Sequence, residues 1–255
     1  MHDPHGTLPM PATTVDKALD VLFHLLAEPG PVGVSSVGRS LGLPKASAHR
    51  LLASLQRRDL VEQDESGRYR PGFGLVALGL GVLDREPLVA IARPVLEEVS
   101  ASLGETTFLV APRAGSLTVL DKVEGTGFLR AAPRVGEKVP VHATAVGKLF
   151  LAEDASLLAE AAGLERFTDH TPRSRKELYR EVRRVAEQGW SHNRDAWIDG
   201  LSVVAAPVSS RGRVVAAIAV GTSTPRMDAL GPDAVARRTV GAAARIRSRL
   251  EGRKS

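Results

Sequence analysis

Ser36-Val37-Gly38-Arg39-Ser40-Leu41-Gly42-Leu43-Pro44-Lys45-Ala46-Ser47-Ala48-His49-Arg50-Leu51-Leu52-Ala53-Ser54-Leu55 decides how this chain is read. Two helices that cross steeply need a small residue where they touch, a glycine in the turn, and apolar residues burying the second helix against the first. Gly38 is the small residue, Gly42 the turn, and Leu41, Leu43, Ala48 and Leu51 the buried positions. The pattern predicts a helix–turn–helix. Its second helix then exposes Lys45, Ala46, Ser47, His49 and Arg50, polar, basic and small groups suited to base edges and phosphates. From Val37 to Arg58 the charges are Arg39, Lys45, Arg50, Arg57 and Arg58, with no Asp or Glu among them.

The flanks extend this module. Residues 1–12 hold three prolines and read as a disordered tail. Val15, Ala18, Leu19, Leu22, Leu25 and Leu26 follow helical spacing after a cap at Thr13 or Thr14, and Pro29-Gly30-Pro31 ends the run. Ser35 is the expected cap of the next helix, and Pro44 suits the first turn of the third. Leu60–Gln63, a turn at Asp64–Gly67 and Arg68–Arg70 give a hairpin signal, a wing that brings Arg68 and Arg70 near a DNA backbone. Gly74–Leu83 is apolar and reads as a connecting helix. Leu75, Val76, Leu78, Leu80, Val82 and Leu83 exceed what one such helix needs, which predicts packing against a second copy.

After Pro87 strands and helices mix without strict alternation, an α+β pattern. Helices are expected at Leu88–Leu103, Ala143–Ala152, Asp154–Ala162, Ser174–Gln188 and Ala229–Leu250. Strands are expected at Thr106–Ala111, Leu117–Val123, Trp190–Arg194, Ser202–Val208 and Val214–Gly221. Ser174 with Glu177 three residues on predicts a capping box. The basic run Arg237, Arg238, Arg245, Arg247, Arg249, Arg253 and Lys254 reads as the solvated face of the last helix in preference to a second nucleic-acid patch.

Composition bounds the rest. The chain has 255 residues, 43% of them apolar and 25% charged, and a net charge of +5. That describes a globular protein of one or two domains. The absence of cysteine removes disulfides, thiolate metal sites and cysteine nucleophiles. No apolar run approaches a membrane span and no signal peptide opens the chain, so no membrane association and a cytoplasmic location are expected. Gly72-Phe73-Gly74-Leu75-Val76-Ala77 fits a dinucleotide fingerprint in letters, but the polar Arg68-Tyr69-Arg70 before it is no buried strand. His142, His170 and His192 lack helical ligand spacing, and no Gly-x-Ser-x-Gly elbow occurs. No metal, no cofactor and no catalysis are expected.

Residues 14–79 closely resemble the N-terminal domain of IclR-type bacterial transcription regulators. The matching stretches are Lys17–Leu22, Leu41–Leu52 and Gly67–Gly72. The likeness continues through Gly104-Glu105-Thr106, Val139–Lys148, Ala205–Val208, and Gly212 with Val214–Ala217, so that it spans about residues 14–250. The resemblance implies a winged helix–turn–helix over 13–72, a linker helix over 73–86, and a GAF-like α/β effector-binding and oligomerisation domain over 87–255. It implies double-stranded DNA with a palindromic operator as partner, a small organic effector, and a homodimer or homotetramer. The expected DNA-contacting set is Ser36, Lys45, Ala46, Ser47, His49, Arg50, Arg68 and Arg70.

The expected effector pocket takes Ala145, Val146, Asn193, Asp195, Trp197, Val203, Ala219, Gly221 and Thr222. Members that bind small carboxylates carry an acidic residue and serines where an alignment on Gly189 and Gly200 puts Ala196, Ala219 and Gly221 here. Asn193, Thr222 and Ser223 remain as polar candidates. A two- or three-carbon keto acid would lack donors in such a pocket, because a desolvated carboxylate needs several. Trp197 either lines the pocket or covers core, and His142 either supports the pocket or is structural. The alternative function is a DNA-binding regulator whose second domain serves only oligomerisation or protein contacts.

Overall fold

The computed structural model describes residues 13–83, 85–127, 133–158 and 163–252. The tail expected over 1–12 lies outside them. The chain divides into two compact units, Met1–Arg85 and Glu86–Ser255.

In the first unit α1 (Thr14–Ala27) opens on a reciprocal cap. The Thr13 hydroxyl accepts from the Asp16 amide, and the Asp16 carboxylate accepts from the Thr13 amide at 2.7 Å. The helix buries Val21, Leu22 and Leu25. Next, α2 (Val34–Ser40) is capped by Gly33 with no side-chain bond, instead of by Ser35. The cause is tertiary: Val32 exchanges two backbone bonds with Tyr69, at 2.7 and 2.8 Å, and the chain turns into the helix directly after that rung. α3 (Lys45–Gln56) begins after Pro44, which is its N-cap and lies outside its first turn. The helices meet at Gly38, where a Cβ would stand 2.9 Å from the Leu43 carbonyl oxygen. The hairpin is β1 (Val61–Gln63) with β2 (Tyr69–Pro71).

α4 (Gly74–Leu83) follows. An added Cβ would lie 2.3 Å from the Asp59 carbonyl oxygen at Gly72 and 2.7 Å from it at Gly74. The two glycines of the fingerprint-like stretch therefore serve a close backbone approach.

The second unit holds α5 (Pro87–Leu103), β3 (Thr106–Arg113), β4 (Ser116–Val123), β5 (Lys138–Val139), α6 (Ala145–Glu153), a 3₁₀ turn (Ala155–Leu158), α7 (Arg175–Gln188), β6 (Ser191–Arg194), β7 (Leu201–Ser210), β8 (Arg213–Ser223), α8 (Thr224–Leu230) and α9 (Pro232–Gly252). One six-stranded sheet, in the order β5-β4-β3-β8-β7-β6, has every neighbouring pair antiparallel. Successive side chains alternate between its faces. Leu109, Val204, Ala206, Ile218 and Val220 pack with α5 and α9 on one face. Phe108, Val110, Ala205, Ala217 and Ala219 pack with α6 on the other.

Three local expectations change. The closing helix is two helices, α8 and α9, because Gly231 at φ +79° and then Pro232 interrupt it. Of the helix expected over 154–162, residues 154–158 are described: Asp154 is the C-cap of α6, Ala155–Leu158 form the 3₁₀ turn, and 159–162 lie outside the described residues. At α7 the Ser174 hydroxyl does accept from the Glu177 amide, but the Glu177 carboxylate reaches the Arg173 amide at 2.9 Å instead of closing the box on Ser174. The sequence pattern predicts no strand at β5, whose two residues pair with Leu117 and Thr118 of β4.

Candidate functional site

Two regions gather the residues singled out above. The first is the outer face of α3. Ala48, Leu51, Leu52 and Leu55 are buried against α1 and α2, so helical periodicity turns Lys45, Ala46, His49 and Arg50 outward. Lys45 with His49, and Ala46 with Arg50, are one turn apart and form one surface. Ser47 is half-buried, and its hydroxyl accepts from the Arg50 guanidinium at 3.3 Å. Ser36 is exposed on α2.

In the wing, Asp64 shapes the turn by accepting from the amides of Ser66 and Arg68 and from the Ser66 hydroxyl. Arg68 is left exposed and makes no ion pair among the described residues. Arg70, by contrast, is bound to Glu62 through two nitrogens at 3.1 and 3.2 Å. The two wing arginines, equal in the sequence, therefore differ in how free they are to meet a phosphate.

The second region lies between α6 and the sheet face carrying Phe108 and Ala219. Small side chains there leave a cavity of about 40 Å³ lined by Ala145, Val146, Trp197, Val203 and Ala219 together with Phe108, Val110, Pro133, Val139, Thr144 and Leu201. That volume holds a few waters, well short of the ~300 Å³ at which ligand pockets begin. Trp197 and Val139 also line an adjoining open groove beside His142 and Phe167. His142 stacks on Phe167 with ring centroids 5.6 Å apart, and its Nε2 lies 2.8 Å from the Glu165 carbonyl oxygen. The Thr144 hydroxyl is engaged, donating to the Pro140 carbonyl and accepting from the Gly147 amide. The amides of Ala145 and Val146 stand in the first turn of α6, where no helical acceptor exists.

The remaining expected pocket residues do not line this cavity. Asn193 is buried, and its Oδ1 accepts from Lys148 Nζ at 2.8 Å. Lys148 also pairs with Glu181 at 2.5 Å. Asp195 sits at φ +56° and accepts from the Thr224 hydroxyl at 2.5 Å, which closes its loop. Gly221 keeps the parity of Ala219 and pairs with Val203 and Thr106. Thr222 has the parity of Ile218 and Val220, so it belongs to the face packed by α5 and α9. Strand alternation could have separated Thr222 from Ala219 in the sequence. Alternation along β3 could also have flagged Phe108 with Val110. Val139 opens the matching stretch Val139–Lys148, which does not by itself place it at a cavity, and nothing local marks Pro133 or the Lys148–Asn193 bond.

The histidines do not converge. His192 lies within 2.8 Å of the Ser202 hydroxyl, and burial, then the neighbouring Arg194 charge, holds its imidazole below its ordinary pKa. Among the described residues no three His, Asp or Glu side chains are placed to hold a metal ion, and no helix is long and apolar enough to cross a membrane.

Comparison with known proteins agrees with this arrangement. Residues 80–248 match the family model described as bacterial transcriptional regulator IclR C-terminal, and residues 14–65 match the IclR helix-turn-helix domain. The HTH-type transcriptional regulator XynR of Escherichia coli (strain K12) is 31% identical over 221 residues, covering 84% of this chain and 88% of that protein. The crystal structure of the Thermotoga maritima IclR superposes with a TM-score of 0.81 at 25% identity, covering 93% of this chain and 98% of that one. An IclR homologue from Microbacterium hydrocarbonoxydans, crystallised with 4-hydroxybenzoate, superposes with a TM-score of 0.81 at 22% identity, covering 94% of this chain and 100% of that one.

Proposed function

The chain belongs to the IclR family of DNA-binding bacterial transcriptional regulators, and on that premise we propose that a small organic effector in its second unit modulates operator binding. The carrying observation is the cavity against α6, bounded by Ala145, Val146, Trp197, Val203 and Ala219. Its side chains are apolar apart from the engaged Thr144 hydroxyl and the Trp197 indole N–H. Ligands that bury carbon are favoured over a two- or three-carbon keto acid. The cavity as it stands exposes no polar atom, so an acceptor group reaches the first-turn amides of α6 only once the lining side chains move. Asn193 and Thr222, bonded or facing elsewhere, drop out as contacts. Because the cavity is small, a ligand has to displace Trp197 toward the adjoining groove. The homologue crystallised with 4-hydroxybenzoate accords with an aromatic effector class.

A thermal-shift panel of glyoxylate, pyruvate, benzoate and benzamide tests this. An aromatic ligand at 100-fold excess over its Kd stabilises by ~2.7 kcal/mol. That corresponds to roughly 5–10 °C for a unit of this size. Val203→Phe, which fills the cavity, should abolish the shift. The small cavity volume also suits a second reading, in which this unit serves only association. No shift with any panel member, and unchanged operator affinity in their presence, would favour that reading instead.

Association itself we place on the first unit, at least in part. Val76, Leu78, Leu80 and Val82 of α4 are exposed, as are Val15, Leu19, Phe23 and Leu26 on α1, whereas Leu75 packs into the core. Apolar exposure on this scale marks a contact surface. A symmetric dimer would read two half-sites about one helical turn apart, or a multiple of that. Sedimentation velocity at micromolar concentration should show a dimer or tetramer. A monomer both with and without DNA rules this out.

A further inference from the structure

A polar cavity of about 490 Å³ lies between α7 and β6, and of the apolar cavity's lining residues it shares none. Lys148, Glu177, Arg180, Glu181 and Arg184 line it from the helical side, His192 and Arg194 from the strand. Most of these charges are already matched. Lys148, with its side chain 4% exposed, is held by Glu181 and Asn193. Arg194 pairs with Asp228 at 2.5 Å, and Glu177 accepts from the Arg173 amide. Arg180 and Arg184 are not matched. They stand one turn apart on α7, are exposed, and make no ion pair among the described residues.

Two like charges at this spacing repel on a bare helix. Here they flank a cavity with a buried ammonium at its edge, and once Lys148 is matched by Glu181 and Arg194 by Asp228, these two guanidiniums face one remaining lining carboxylate, Glu177. The depressed pKa of His192 keeps its ring from adding a charge at neutral pH. A concave site with a net positive lining and two free guanidinium forks suits a ligand with two separated acidic groups, each able to take one fork. A single carboxylate would satisfy only one.

We propose that the cavity between α7 and β6 is a second small-molecule site, which takes an organic anion with two or more acidic groups through Arg180 and Arg184. Lys148 stands one turn past Ala145 on α6, so this site and the apolar cavity share one helix. The proposal does not depend on the effector reading, since its residues are different.

Isothermal titration of the full chain with citrate, against sodium chloride at matched ionic strength, tests it. Citrate should bind saturably with one site per chain. Arg180→Gln combined with Arg184→Gln should weaken binding by at least about tenfold, the effect of losing one charge-assisted bond. Both side chains are exposed, so the variant should keep the wild-type melting temperature. Arg237→Gln with Arg238→Gln removes the same charge from α9 and should leave citrate affinity unchanged. The proposal is overturned if no saturable binding occurs beyond the salt control. It is overturned equally if the α9 variant loses as much affinity as the α7 variant.

Discussion

Replacing Gly147 by alanine is expected to lower the melting temperature of the second unit by about 10 °C, the equivalent of ~3–5 kcal/mol in a unit of this size. Helix propensity alone predicts the opposite sign, since alanine in a helix interior is better than glycine by ~1 kcal/mol. Packing decides the matter. A Cβ on Gly147 would stand 1.9 Å from the Val141 carbonyl oxygen and 2.5 Å from the Val141 carbonyl carbon. These are backbone atoms and have no rotamer to escape into. The segment before α6 is also held from the other side, by the Thr144 hydroxyl bonded to the Pro140 carbonyl and the Gly147 amide. Relief therefore requires moving α6, whose Ala145, Leu149, Phe150 and Leu151 are buried. Gly241→Ala on α9 is the control: its Cβ would meet nothing within 4 Å. There propensity should prevail, with a small gain in stability. Differential scanning fluorimetry of the two variants suffices, and a Gly147→Ala melt within 2 °C of wild type would show that this contact yields.

The triple variant Lys45→Ala, His49→Ala, Arg50→Ala should lose operator affinity by roughly two to four orders of magnitude. Each base or phosphate contact is worth ~1–3 kcal/mol, and the three residues share one exposed face of α3. All are exposed, so folding should be unaffected. Single variants separate the roles. Loss of a base contact relaxes preference at one operator position. Loss of a phosphate contact weakens binding evenly and flattens the salt slope by about one. The wing adds an asymmetry drawn from the structure: Arg68→Ala should flatten the slope, whereas Arg70→Ala should change it less, because Arg70 is bound to Glu62. Gel shifts at two salt concentrations distinguish these outcomes, and wild-type affinity across all the variants would remove α3 and the wing from the interface.

Elements whose causes are local can be read directly from the order of residues. The 3.6-residue stripe of α3, the Gly42 turn, the hairpin around Asp64–Gly67 and the apolar run of α4 all depend on residues within a few positions of one another and are legible, as is a threonine cap on α1, with the structure choosing Thr13 over Thr14. So is the basic face of α3, because burying Ala48, Leu51 and Leu52 leaves Lys45, His49 and Arg50 no other direction. The break at Gly231-Pro232 is also written locally, but the long helical pattern around it masks the signal. Tertiary structure decided the rest. The start of α2 follows from Val32 pairing with Tyr69, 37 positions away. Asn193, an apparent ligand contact, is held instead by Lys148, 45 positions earlier. Arg70 and Arg68 differ only because Glu62 faces one of them across the hairpin. The intolerance of Gly147 to a methyl group comes from a carbonyl that the chain brings back against the helix. In each case the deciding partner is far away in sequence or across a strand pair. A hydrogen bond or a steric contact acts over about 3 Å of space whatever the separation along the chain, and no local pattern records which distant group will fill that space.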